Sequence, residues 1–89
     1  MRTAQVLRTV TLVIEYDPTQ PKWTQIADII RRRIESGEYP PKTLISEVQM
    51  EAEFDVARVT IRKVTSCLRE EGLIITTPGM GSFVADRET

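Results

Sequence analysis

The chain contains no histidine, and cysteine occurs once, at Cys67. One cysteine cannot close an internal disulfide, and so few soft donors leave no ligand set for a transition metal. Glu70 and Glu71 sit side by side, but no histidine, second nucleophile or phosphate loop accompanies them. A carboxylate pair alone does not make an acid–base site, so the chain is read as a non-enzyme without cofactor or metal. No apolar run approaches the roughly 20 residues that span a bilayer. The stretch VTLVIEYD begins late, contains Glu15 and lacks a cleavage pattern, so it is not a signal peptide. No membrane association and a cytoplasmic location are expected. Excess positive charge is missing too: the net charge is −1. Any affinity for nucleic acid must therefore come from a local patch. There is no long internal repeat or low-complexity tract, and 89 residues suggest one domain.

The residues that are present alternate between two periodicities. From Val6 to Tyr16 the pattern has period two, which predicts a strand. A connector with Pro18 and Pro21 follows, and Pro21 suits a first helical turn. Trp23 to Ser36 predicts a helix, with Trp23, Ile26, Ala27, Ile30 and Ile34 on one stripe. Gly37 is placed to cap it, and Pro40-Pro41 delays the next helix. That helix starts at Ser46, which forms an S-x-x-Q capping box with Gln49. Val48, Met50, Ala52 and Phe54 are expected to supply its apolar contacts, with Glu47, Glu51 and Glu53 facing water or cations. Asp55-Val56-Ala57 makes a tight turn into a third helix, from about Arg58 to Glu71 and closed by Gly72. Two short strands, Leu73 to Thr77 and Ser82 to Ala85, flank the turn signal Pro78-Gly79-Met80-Gly81. The expected fold is mostly α with a small β hairpin: a winged helix-turn-helix of three helices plus wing, with an extra N-terminal strand. Its divisions are 1–20 strand and linker, 21–85 winged helix-turn-helix (helix-turn-helix about 46–69, wing 73–85) and 86–89 tail.

The third helix carries the candidate chemistry. Arg58, Arg62, Ser66 and Arg69 share one face, while Ile61, Val64, Thr65 and Leu68 form a core stripe on another. Lys63 flanks the polar face, and Val59 and Thr60 lie near its N-terminal end. An amphipathic helix of this kind can seat its apolar side and offer arginine forks and a small hydroxyl to base edges and phosphates. The bland alternative is a solvated charged face, since arginines four apart are common on exposed helices. The run Arg31-Arg32-Arg33 can likewise be a solvated face or a set of backbone contacts to DNA. Cys67 is read as a small buried hydrophobe rather than a redox switch, and Trp23 as a core anchor.

Three stretches carry a family resemblance: WTQIADIIRRRIESGEYPP, LISEVQMEAEFDVARVTIRKV and LREEGLIITTPGMGSFVA. From about Pro21 to Ala85 the chain resembles the DNA-binding domain of GntR-type bacterial transcription regulators. The resemblance implies double-stranded DNA as partner, bound by the second and third helices with the wing in the minor groove. It also implies two copies acting on a palindromic site. Carried across by position, it points to Arg58, Thr60 and Arg62 on the recognition helix and to Ser46 and Glu47 at the start of the second helix. It adds Gly81 in the wing; Lys63 and Ser66 complete the candidate DNA-binding set. The family commonly has arginine where Val48 stands, glycine at Asp55 and serine at Ala57. Asp tolerates a left-handed backbone, so the turn is expected to survive. Ala57 is a poor N-cap, so Asp55 is considered as a substitute cap. The neutral wing implies fewer phosphate contacts and a shallower salt dependence.

The expected function is a sequence-specific DNA-binding transcription regulator, a repressor on a short operator, working as a homodimer. No small-molecule effector domain is expected in this chain. Two alternatives stay open: a winged-helix protein–protein module, and the DNA-binding fragment of a longer ligand-responsive regulator. The strand at 6–16 is equally open between pairing with a second copy and adding a third strand to the wing sheet.

Overall fold

A computed structural model describes residues 15–86. Within them the order is α1 (Lys22–Glu35), β1 (Leu44–Ile45), α2 (Glu47–Phe54), α3 (Arg58–Glu70), β2 (Ile74–Thr77) and β3 (Gly81–Val84). The expected strand at 6–16 lies almost wholly outside the described residues; its last two, Glu15 and Tyr16, are irregular.

The entry into α1 is stitched by one side chain. Gln25 Oε1 accepts from the Asp17 amide at 2.9 Å, and its Nε2 donates to the carbonyls of Asp17 and Gln20. Pro21 takes the N-cap position without a side-chain cap. At the other end Ser36 is the C-cap, and Gly37, with φ of 90°, follows it in the left-handed region. The glycine therefore terminates the helix from one residue further out than expected.

At α2 the Ser46 hydroxyl accepts from the Gln49 amide at 3.1 Å, which is the serine half of the capping box. Asp55 closes the helix in the left-handed conformation, φ 55° and ψ 52°. That use corrects the idea that Asp55 caps α3. The N-cap of α3 is Ala57, with no side-chain bond, and Ile61 donates to its carbonyl at 3.3 Å. The apolar contacts expected of α2 also need correction. Met50 and Phe54, one turn apart, are buried, whereas Val48 is 62% exposed and Ala52 is exposed. An eight-residue helix buries a narrow stripe, and residues two positions from Met50 fall on the opposite side.

The core joins Ile26, Ile30 and Ile34 of α1 to Ile61, Val64 and Leu68 of α3, with Phe54 beneath them. Each such side chain contributes about 1.5–3 kcal/mol relative to exposure. Trp23 packs partly buried against this cluster. The three-stranded antiparallel sheet has the order β1-β3-β2. Its third strand is Leu44–Ile45, which pairs with Phe83 and Ser82. No strand was expected there. Ile45, Ile74 and Val84 face the core, while Leu44 and Ile75 on the other face are exposed.

Candidate nucleic-acid interface

The outward face of α3 is fixed by the stripe behind it: Ile61, Val64, Thr65 and Leu68 are all buried, as their spacing predicts. The buried Thr65 hydroxyl satisfies itself by donating to the Arg62 carbonyl at 3.2 Å. Opposite the stripe, Arg62, Lys63 and Ser66 line an open groove of about 730 Å³ with Glu47, Arg69 and Thr76. Arg58 stands outside this groove at the N-terminal end of the helix, exposed. Thr60 is half-buried on the flank, Ser46 spends its hydroxyl on its cap, and Gly81 sits in the wing. Four of the eight candidate residues, Glu47, Arg62, Lys63 and Ser66, thus line the groove, while Arg58 and Thr60 lie beyond it toward the N-terminal end of α3. Gly81 is separate, and Ser46 has its side chain already engaged.

Two carboxylates of α2 face cations, as expected. Glu47 Oε1 lies 3.8 Å from Arg62 Nε, and Glu51 Oε2 accepts from Arg58 Nε. Both arginines keep substantial exposure, 67% for Arg62 and 43% for Arg58. Glutamates of α2 and arginines of α3 therefore meet across the turn as ion pairs.

The wing is braced against α3. Arg69 Nη1 donates to Thr76 Oγ1 at 2.9 Å, and Thr76 and Ser82 share a 2.8 Å bond across the hairpin. Gly81 has φ of 118°, and a Cβ there would meet the Leu44 side chain at 3.3 Å. Both the backbone and the close approach call for glycine. Met80 at the hairpin turn is exposed.

Val59, which the sequence places near the N-terminal end of the polar face without counting it among the candidates, is 63% exposed and lines the groove. Arg69 was recognised on the polar face but not as a brace, because its partner lies in the wing.

The arginines of α1 are used otherwise. Arg31 holds Glu71 through Nε and Nη2, both at 2.8 Å, and Asp28 through Nη1. Arg33 grips Glu53 and donates to the Tyr39 hydroxyl at 2.7 Å. Each is held above the ordinary arginine pKa, chiefly by its hydrogen bond to Glu71 or Glu53. The Glu71 carboxyl is pulled below its ordinary value mainly by Arg31. Burial, then the neighbouring Glu71, pushes the Cys67 thiol up, which disfavours the reactive thiolate. Cys67 is half-buried rather than fully buried.

Helices α1 to α3 with a hairpin behind them define a winged helix-turn-helix. Residues 22–84 match the bacterial regulatory proteins of the gntR family, and the chain belongs to that family. It is 35% identical over 80 residues to an HTH-type transcriptional regulator of Rhizobium meliloti, covering 89% of this chain and 33% of that protein. It is 38% identical over 74 residues to the HTH-type transcriptional repressor RspR of Escherichia coli, covering 83% of this chain and 32% of the repressor. The chain thus spans about a third of the length of the curated relatives it matches. Among solved structures, the AraR DNA-binding domain in complex with operator ORX1 superposes with a TM-score of 0.74. That pair is 33% identical, with 82% of this chain and 94% of that chain covered. No helix of the described residues is long and apolar enough to cross a membrane.

Proposed function

We propose that the chain binds double-stranded DNA sequence-specifically and regulates transcription, repressing by occupying a short palindromic operator. The observation that carries this is the split of α3 into a buried stripe and an outward face bearing Arg58, Arg62 and Lys63. In this reading α3 enters the major groove, where arginine forks read guanine edges or grip phosphates. Thr60 and Ser66 add short hydroxyl contacts. Ser46 and Glu47 bring the start of α2 toward the backbone, where free amides suit phosphate. Gly81 lets the wing backbone approach closely. The likeness to a DNA-binding domain held on its operator supports the same docking. Two copies would place their recognition helices about 34 Å apart, one turn of duplex, and read an inverted repeat.

Selection of genomic fragments with the purified chain at stated salt, followed by amide shift mapping on the best-enriched duplex, tests the reading. Perturbations concentrated on residues 58–69 are expected. No duplex bound at low ionic strength, or shifts that avoid α3, would overturn it. Light scattering of the complex tests the pairing: two chains per duplex are expected.

One observation favours a second reading, a protein–protein module. The wing is uncharged, and Leu44, Ile75 and Met80 are exposed on or beside it. That reading predicts shifts in β1 to β3 on adding a protein partner, with no duplex enriched at all.

A further inference from the structure

We propose that Glu51 is a positioning residue for Arg58, and that it raises the ratio of specific to non-specific DNA binding. The inference rests on the reading of α3 as the DNA-contacting helix. Its basis is which edge of each guanidinium the protein consumes. Arg31 spends Nε, Nη1 and Nη2 on Glu71 and Asp28. Arg33 spends Nη1 and Nη2 on Tyr39 and Glu53. Arg58 spends Nε alone, on Glu51 Oε2, and among the described residues no bond is made by its Nη1 or Nη2. The terminal pair is the fork that matches guanine O6 and N7, or two phosphate oxygens.

The two residues stand seven apart, across the turn at Asp55. Its left-handed backbone folds the last turn of α2 back beside the first residue of α3. Glu51 is 29% exposed and Arg58 43%, so the carboxylate forms the inner wall and the guanidinium the outer one. Two effects follow. Gripping the Nε edge removes side-chain freedom before DNA arrives, which lowers the entropic cost of a directed contact. The carboxylate also neutralises the arginine toward a bare phosphate track, which weakens sequence-independent attraction. Both effects act in the same direction on the ratio of specific to non-specific binding.

The test uses the full chain with Glu51→Ala and Glu51→Gln, against the best-enriched duplex and a scrambled duplex of equal length and composition, over a salt series. For Glu51→Ala, affinity for the enriched duplex should fall about fivefold to tenfold, the size expected when one arginine must be ordered on binding. The scrambled duplex should bind equally well or more tightly. Glu51→Gln keeps an acceptor but loses the charge. It should retain most of the specific affinity while tightening on the scrambled duplex. In an Arg58→Ala background, Glu51→Ala should no longer weaken binding to the enriched duplex. Equal weakening of both duplexes, equal tightening of both, no change in either, or a loss on the enriched duplex that persists without Arg58 would each overturn the proposal. If Glu51→Ala melts, the Gln variant decides, because an unchanged scrambled affinity there refutes the electrostatic half on which the ratio depends. Failure of the underlying reading looks different: the parent chain then binds no duplex, or α3 shows no shifts.

Discussion

Arg31 and Arg33 on α1 and Arg58 and Arg62 on α3 are the same residue type, all paired with glutamate or aspartate, yet they are used in opposite ways. The first pair is 26% and 20% exposed, with guanidinium forks turned into the protein. The second is 43% and 67% exposed and offers its forks outward. An ion pair can therefore be a tie-bar or a rest position, and exposure together with the choice of nitrogen separates the two. Tie-bars hold α1 to the ends of α2 and α3, and so fix the platform from which the other arginines project.

That contrast can be broken or sharpened by substitution. The largest effect is expected for Arg62→Ala, which should weaken specific DNA binding by about 1–3 kcal/mol, the scale of a bidentate contact. Its melting temperature should hardly move. Fluorescence anisotropy beside a thermal melt checks both halves, and wild-type affinity would remove Arg62 from the interface. Arg33→Ala should do the reverse. It loses charged bonds to Glu53 and Tyr39 and stacking over Phe54, and should cost roughly 1–2 kcal/mol of stability after allowing for partial exposure. Its DNA affinity should stay unchanged at temperatures where it remains folded.

Smaller again is Tyr16→Phe. The Tyr16 hydroxyl donates to the Phe54 carbonyl at 2.7 Å, and denaturant titration should show a loss of about 0.5–1.5 kcal/mol. The least effect near neutrality, and the most diagnostic in acid, belongs to Glu71→Gln. Arg31 holds Glu71 below its ordinary pKa of 4.5. A depressed carboxyl stabilises the fold above its unfolded pKa, and that contribution is lost as pH falls through the folded value. The variant should start lower than the parent near neutral pH, decline less steeply below about 4.5, and converge with it in strong acid. Melting temperatures measured across the acid range check this.

Much of the fold was legible because it is local. The 61, 64, 65, 68 stripe, the serine cap at 46 and the turn at Asp55 each need only neighbouring residues to be recognised. Leu44–Ile45 was not legible: two residues carry no period, and their strand exists only because Phe83 and Ser82 lie beside them. The exposure of Val48 escaped for a related reason, since an eight-residue helix leaves too few apolar positions to mark its buried side. At the candidate site, the basic face was readable from spacing. The Glu51–Arg58 and Glu47–Arg62 pairs were not, because they cross a turn and match no intrahelical interval.

The wing is fastened on two sides, by the β1 ladder along β3 and by the Arg69–Thr76 strut from α3. Helix and hairpin are thereby held at a set spacing, like the jaws of a caliper. On the proposed docking, a duplex whose groove departs from that spacing must deform to fit or break the strut. Sequences whose groove already has that width would be favoured at positions no side chain touches.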